Sequence, residues 1–236
     1  MTDYQDFTYS SPSLIKRFLH QKRFADALMV LDLQQRDIFL DYGCGDGYLL
    51  KLATKEIPSK SLFGYEPADE IFLQAKKIHE NTGVTIVNNL GELPAMKFSK
   101  ISCLETCEHL VLEDLQKLLQ NVSNLLDQNG AAFFSVPVEI YLPGLGKNLY
   151  RLSKKGEYGN LNLKNILNTL FGRKAERQIL ELNGLKYIFS HIGFHYREFE
   201  KVLSQYFQIE KTIGSPAAFL PKSLNNTLYY VCRKLS

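Results

Sequence analysis

IFLDYGCGDGY, Ile38 to Tyr48, joins an apolar run to three glycines at alternate positions, Gly43, Gly45 and Gly47. The run predicts a buried strand over Ile38–Tyr42, with Asp41 near its end, and the glycines predict a sharp turn into a helix that starts at Tyr48. Glycine lets a backbone turn tightly and come close to a ligand. The helix start adds N–H groups and a positive dipole end suited to a carboxylate or phosphate. A plain strand-to-helix turn would read the same way, so the triplet needs company before it means a function.

That company lies on both sides. Tyr48–Lys55 reads as a helix, Leu62–Glu66 as a strand, Ala68–Glu80 as a helix and Thr85–Val87 as a strand, the alternation of a parallel sheet covered by helices. A strand at Ile101–Leu104 follows. Leu115, Leu118, Leu119, Val122, Leu125 and Leu126 then share one face of a helix over Leu112–Asp127, Asn129-Gly130 marks a turn, and Ala131–Val136 forms a fifth strand. Residues 138–190 break the alternation and predict a helical insertion, with helices over Leu161–Leu170 and Lys174–Leu182. The sheet resumes with a helix at Tyr196–Tyr206 and strands at Gln208–Ile213 and Thr227–Cys232. Ahead of it all, Ser11–Leu33 predicts two short helices, with Ser11 as cap and Pro12 at the first helical position. One α/β domain over 1–236 is expected: leading helices 1–35, a core 36–137, the insertion 138–190 and the rest of the sheet 191–236.

Composition narrows the class. With 236 residues, 45% hydrophobic and 22% charged, the chain is not a disordered one, and fifteen Phe with thirteen Tyr suffice for a core without disulfides. Cys44, Cys103, Cys107 and Cys232 form no CxxC pair and predict reduced thiols. The polar, acidic start MTDYQDFTYS lacks a signal pattern, and no apolar run is long enough for a membrane span, so a cytoplasmic location is expected. Net charge is +3, yet residues 138–190 hold nine Lys or Arg against four acids. A basic segment on a near-neutral body predicts an anionic acceptor or peripheral membrane contact more than nucleic acid.

D-x-G-x-G-x-G over Asp41–Gly47, followed by Glu66 at the end of the next strand, resembles the class I S-adenosylmethionine-dependent methyltransferases. The resemblance covers residues 36–137 and, more loosely, 191–233. It implies a Rossmann-like, seven-stranded, mostly parallel sheet with helices on both faces, in the order 3-2-1-4-5-7-6 with the last strand antiparallel. It implies S-adenosylmethionine as cofactor. Asp41 and the Gly43, Gly45 and Gly47 backbone would lie along its methionine part, and Glu66 would hold the ribose. Asn89, before Leu90, stands where the family often has Asp beside the adenine. Glu105 falls at the edge near the transferred methyl.

Leu104 to Leu110 reads LETCEHL, with Glu105, Glu108 and His109 at i, i+3 and i+4, one face of any helix that starts there. Three roles stay open. Glu108 and His109 cap a helix; or His109 is a general base oriented by a carboxylate; or the carboxylates and imidazole, with His191 or His195, hold a divalent ion. ExxEH with a distal histidine looks like metal-dependent RNA-end 2'-O-methyltransferases, and a similar string occurs in quinone-biosynthesis O-methyltransferases. The adopted expectation is catalysis by His109, Glu108 and His191 without metal. The insertion, with Lys154, Lys155, Arg173 and Lys174 among aromatics, is expected to be a lid over the acceptor. Methyl transfer to a hydroxyl or amine of a small molecule, sugar, glycan or lipid-linked acceptor is the expected function. An RNA-end methyltransferase or a non-catalytic cofactor-binding member of the fold are the alternatives.

Overall fold

The computed structural model describes residues 14–152, 161–182 and 185–235. Ser11, Pro12, Lys154 and Lys155 lie outside them. α1 spans Leu14–Leu31 as one continuous helix where two short ones were expected. β1 (Phe39–Tyr42), α2 (Tyr48–Ala53), β2 (Leu62–Tyr65), α3 (Asp69–Ile78), β3 (Thr85–Val87) and β4 (Phe98–Leu104) follow the predicted alternation. Next come α4 (Leu112–Leu125), β5 (Leu126–Pro137), α5 (Tyr141–Leu152) and α6 (Leu163–Leu170). β6 (Ile179–Leu182), β7 (Leu185–Ile188), α7 (Tyr196–Leu203), β8 (Phe207–Ser215) and β9 (Thr227–Lys234) complete the chain. The seven-stranded sheet runs β3-β2-β1-β4-β5-β9-β8, which is the expected order once the separate β6–β7 hairpin is set aside. β1 pairs in parallel with β2 and β4, and β8 pairs antiparallel with β9.

The chain divides into two compact units. The first comprises residues up to Leu104 together with Leu125–Phe133. Its four-residue β1 is buried at every position, as a central parallel strand with both faces covered must be. Phe39, Leu40, Leu50, Leu62, Phe98 and Ile101 fill its core, with Phe63 and Phe98 edge to face at 5.3 Å. Asn129-Gly130 is not the expected turn but part of β5. A Cβ on Gly130 would come within 2.8 Å of the Leu126 side chain and 3.0 Å of Ser99 O, so glycine serves a close approach there.

The second unit comprises Glu105–Asn124 and Phe134–Ser236. Phe134, Phe199, Phe207 and Tyr230 make an aromatic core, with Phe199 and Tyr230 edge to face at 5.6 Å. α4 buries Leu115, Leu118, Leu119 and Val122 of the face its spacing predicted; it stops at the half-buried Leu125, and Leu126, expected on the same face, opens β5 instead. The expected helix over Lys174–Leu182 is absent: Ile179–Leu182 pairs with Leu185–Ile188 as an antiparallel hairpin. All four cysteines are buried thiols outside any disulfide. Among the described residues, no helix is long and apolar enough to cross a membrane.

Candidate active site

In the first unit, β1 carries Asp41 to the glycine loop, where Gly43, Gly45 and Gly47 have φ of 80°, 57° and 78°. These left-handed values strain any residue with a side chain. Gly47 is required twice over, because a Cβ there would lie 2.7 Å from His79 Nε2. His79, buried, donates from Nε2 to Gly47 O at 2.9 Å. The Gly43 and Cys44 N–H groups both donate to Tyr65 O, at 2.8 and 3.0 Å. Glu66 accepts from Gly45 N–H through Oε2 and from Ala68 N–H through Oε1, each at 3.0 Å. Asp46 Oδ1 accepts from Tyr48 N–H at 3.2 Å, as an acid at a helix start does.

Three carboxylates, those of Asp41, Asp46 and Glu66, are therefore buried at this loop. Burial pushes the Glu66 carboxyl up, against the two N–H donors. Burial lifts Asp41 further, to about 7, with the Glu66 charge adding to it and the Ser102 hydroxyl opposing from 2.6 Å. A bay of this kind suits a ligand that brings positive charge and hydroxyl donors. Asn89 turns back on its own loop, its Oδ1 accepting from Gly91 N–H at 2.9 Å, and Leu90 opens the short turn it caps. Neighbouring Asn88 donates to Asp69 at 3.1 Å.

In the second unit the LETCEHL segment is not α-helical. Glu105 is left-handed, with φ of 52°, and Cys107–His109 makes a single 3-10 turn before α4. The expected common helical face of Glu105, Glu108 and His109 is thus replaced by two separate placements. Glu105 is tied to Ser135, whose hydroxyl donates to Oε1 at 3.2 Å and accepts the Glu105 N–H at 3.1 Å. Glu108 and His109 instead meet His191, and one ligand atom from each lies within 4.8 Å of the others.

The protons of this cluster can be placed by elimination. His109 Nδ1 stands 2.8 Å from Ile188 O, which only accepts, so Nδ1 carries the proton and the neutral ring leaves a lone pair on Nε2. His191 Nε2, 3.1 Å from His109 Nε2 and 3.7 Å from Glu108 Oε1, carries a proton and donates it to that lone pair. Tyr187 stacks on His109, with ring centroids 4.9 Å apart and planes 9° apart. Burial lowers the pKa of both imidazoles, that of His191 to about 4, so both are neutral at pH 7. Glu108 is fully buried, and Arg177, stacked over Phe194 at 5.4 Å, donates to its backbone O. Buried Glu139 pairs with Lys147 at 3.0 Å and Arg151 at 2.6 Å, and reaches within 4.0 Å of His191 Nδ1. Burial raises the Glu139 carboxyl, but the two cations outweigh it and hold the group at about 2.

A family model described as a methyltransferase domain matches residues 15–189. The chain belongs to that methyltransferase family. Among curated proteins no relative matches. Three solved structures similar to this methyltransferase share its fold at low identity. The PH0226 protein of Pyrococcus horikoshii is 12% identical with a TM-score of 0.65, and the match covers 98% of this chain and 96% of that one. An S-adenosylmethionine-dependent methyltransferase of Clostridium acetobutylicum is 15% identical, with a TM-score of 0.59 and coverage of 99% and 96%. Magnesium protoporphyrin IX methyltransferase of Synechocystis, solved with bound S-adenosylhomocysteine, is 14% identical, with a TM-score of 0.56 and coverage of 94% and 88%. Of these, the Clostridium enzyme is named for its dependence on S-adenosylmethionine, and the Synechocystis enzyme holds the demethylated product.

The sequence pointed to the methyltransferase's Glu108, His109 and His191, which the structure brings together, and to Glu105, whose side chain is tied to Ser135 while its charge acts on both imidazoles. His195 lies elsewhere, with Nε2 3.1 Å from Gly172 O. Four participants escaped sequence reasoning: His79 and Ser102 around the loop, and Glu139 and Arg177 around the histidines. Only Glu139 carried a signal, as an acid directly after the apolar end of the fifth strand.

Proposed function

We propose that this methyltransferase moves the methyl group of S-adenosylmethionine to a hydroxyl of a small molecule, sugar or lipid-linked glycan, with His109 as the base. In this reading Asp41 and the Gly43, Gly45 and Gly47 backbone hold the methionine part of the donor. Glu66 takes the ribose, and Asn89 and Leu90 border the adenine. The S–CH3 bond breaks, its electron pair stays on sulfur as a neutral thioether, a C–O bond forms, and the hydroxyl proton passes to His109 Nε2. Because the sulfonium methyl is already activated, alignment and removal of one proton are the main tasks.

The observation that carries the reading is the 2.8 Å contact from His109 Nδ1 to Ile188 O, which leaves Nε2 as an acceptor, while burial keeps the ring neutral. Glu108 and His191 then serve as positioning groups for that ring, and the acceptor hydroxyl takes the place of the His191 Nε2–H on its lone pair. With label from S-adenosylmethionine and a hydroxyl acceptor, His109→Gln is expected to lower kcat by about 10² to 10⁴ with cofactor affinity unchanged. The rate rises with pH through a pKa below the ordinary histidine value and is flat above it. Label found only on amines, or a His109→Gln enzyme as fast as the parent, overturns the reading.

A second reading has its own support. With metal–ligand bonds of about 2.1 Å, two neighbouring ligands stand roughly 3.0 to 3.4 Å apart. The 3.1 Å between the two imidazole Nε2 atoms falls in that span, and Glu108 Oε1 is close behind at 3.7 Å. Glu108, His109 and His191 would then hold a divalent cation that acidifies the acceptor hydroxyl directly. Loss of activity in chelator with recovery on Mn2+ or Zn2+ selects this reading, and unchanged activity in chelator selects the base.

A further inference from the structure

The helices of the insertion are inside out. On a water-facing helix of a globular protein the apolar stripe turns inward and polar residues face out. α5 instead buries Gly144 and Asn148, and α6 buries Asn165 and Thr169. These polar groups are satisfied inside: Asn148 Nδ2 joins the two helices by donating to Thr169 Oγ1 at 3.0 Å, Asn165 Oδ1 accepts from Glu176 N–H at 3.1 Å, and Arg151 bridges Asn148 and Glu139. Gly144 fits because a Cβ there would lie 2.3 Å from Glu139 O. What faces outward is apolar. Leu142, Leu149 and Leu152 on α5, with Leu163, Leu167 and Phe171 on and just after α6, are 45% to 72% exposed. Their spacings, i, i+7, i+10 and i, i+4, i+8, put each set along one side of its helix.

The charge around this face says what covers it. Residues 141–174 contain seven Lys or Arg and one acid, Glu157. Lys147 and Arg151 are spent on Glu139 inside, which leaves five cations, of which Lys164, Arg173 and Lys174 are exposed. Arg173 lies 5.8 Å from the Phe171 ring centroid, an apolar side chain and a cation side by side as at a headgroup boundary. A second copy of the chain would bring the same cations against one another. A negatively charged lipid surface takes the leucines into its acyl boundary and the lysines into its headgroups.

We infer that α5 and α6 form a peripheral docking element that seats the enzyme on an anionic bilayer. Glu139, at the root of α5 and within 4.0 Å of His191 Nδ1, ties the docking element to the proposed acceptor-activating cluster. Docking therefore delivers that cluster to acceptors held in a membrane. The inference stands whether His109 works as a base or as a ligand.

The test uses the full chain in flotation with phosphatidylcholine vesicles, with and without phosphatidylglycerol. Binding to the phosphatidylglycerol vesicles, weak binding to pure phosphatidylcholine and release at high salt are expected. The quadruple variant Leu142→Ser, Leu149→Ser, Leu163→Ser, Leu167→Ser should bind at least about tenfold more weakly, because each lost apolar contact weakens insertion. The triple variant Lys164→Glu, Arg173→Glu, Lys174→Glu should lose the preference for phosphatidylglycerol. Parent-like melting and cofactor binding in both variants show that they are folded. No flotation on either vesicle, flotation unaffected by the substitutions, or a dimer in light scattering that the leucine variant abolishes overturns the inference.

Discussion

Asp41→Asn should make the ligand-free protein more stable at neutral pH while impairing the cofactor site proposed for it. Asp41 is 4% exposed and its carboxyl is raised from 3.8 to about 7, chiefly by burial. Each pKa unit is worth about 1.36 kcal/mol, so above pH 7 the ionised group costs the fold at most about 4 kcal/mol relative to its acid form. The sign follows from proton counts. Between pH 3.8 and 7 the folded chain holds this proton while the unfolded chain has released it, so stability falls as pH rises through that window. Asparagine removes the dependence and keeps an oxygen for the Ser102 hydroxyl, now 2.6 Å from Oδ1. Chemical denaturation across this range should show the variant and parent diverging from acid to neutral pH in the variant's favour. Calorimetry with S-adenosylhomocysteine should show the parent's affinity rising up to pH 7, about tenfold per unit, and then levelling, with no such rise in Asp41→Asn. A variant that is less stable by the same amount at every pH, or affinity profiles that coincide, would refute the reasoning.

Gly47→Ala should cost roughly 1–2 kcal/mol for its left-handed backbone, plus the displacement of His79, and weaken S-adenosylhomocysteine binding in the same calorimetric assay. Adding His79→Ala to Gly47→Ala should recover little of that loss, because the backbone strain remains. Glu139→Gln should lower stability toward the low end of the roughly 3–5 kcal/mol typical of breaking a buried pair, since Lys147 keeps some contact with water. Glu139 is depressed to about 2 from 4.5, so its contribution is present above pH 4.5 and lost as pH falls through 2. The parent's acid-unfolding curve should be steeper than the variant's over that interval.

What could be read from the sequence was what the chain specifies locally. The strand, the three glycines and the acid at the end of the next strand lie within Ile38 to Glu66, and their pattern survives without any distant contact. The expected helix over Lys174–Leu182 passes over the Asn183-Gly184 pair, a hairpin signal between two short apolar runs. The opposite error fell on Asn129-Gly130, where the same dipeptide serves close packing inside a strand. The partners of the histidines were out of reach for another reason. Ile188 and His109 are 79 residues apart, and Arg177 and Glu108 are 69 apart, so only the folded chain joins them.

The pinned glycine loop has a kinetic consequence. Tyr65 O, Glu66 and His79 already hold it by hydrogen bonds to Gly43, Cys44, Gly45 and Gly47, so little ordering entropy remains to be lost when a ligand enters. The methyl donor and its demethylated product differ only at the sulfur, by one methyl group and the positive charge that goes with it. In the placement proposed here, the loop grips the portions common to both and has no second shape with which to reject one of them. Spent cofactor therefore competes with fresh donor on nearly equal terms, and turnover is expected to follow the ratio of the two molecules in solution rather than the donor level alone.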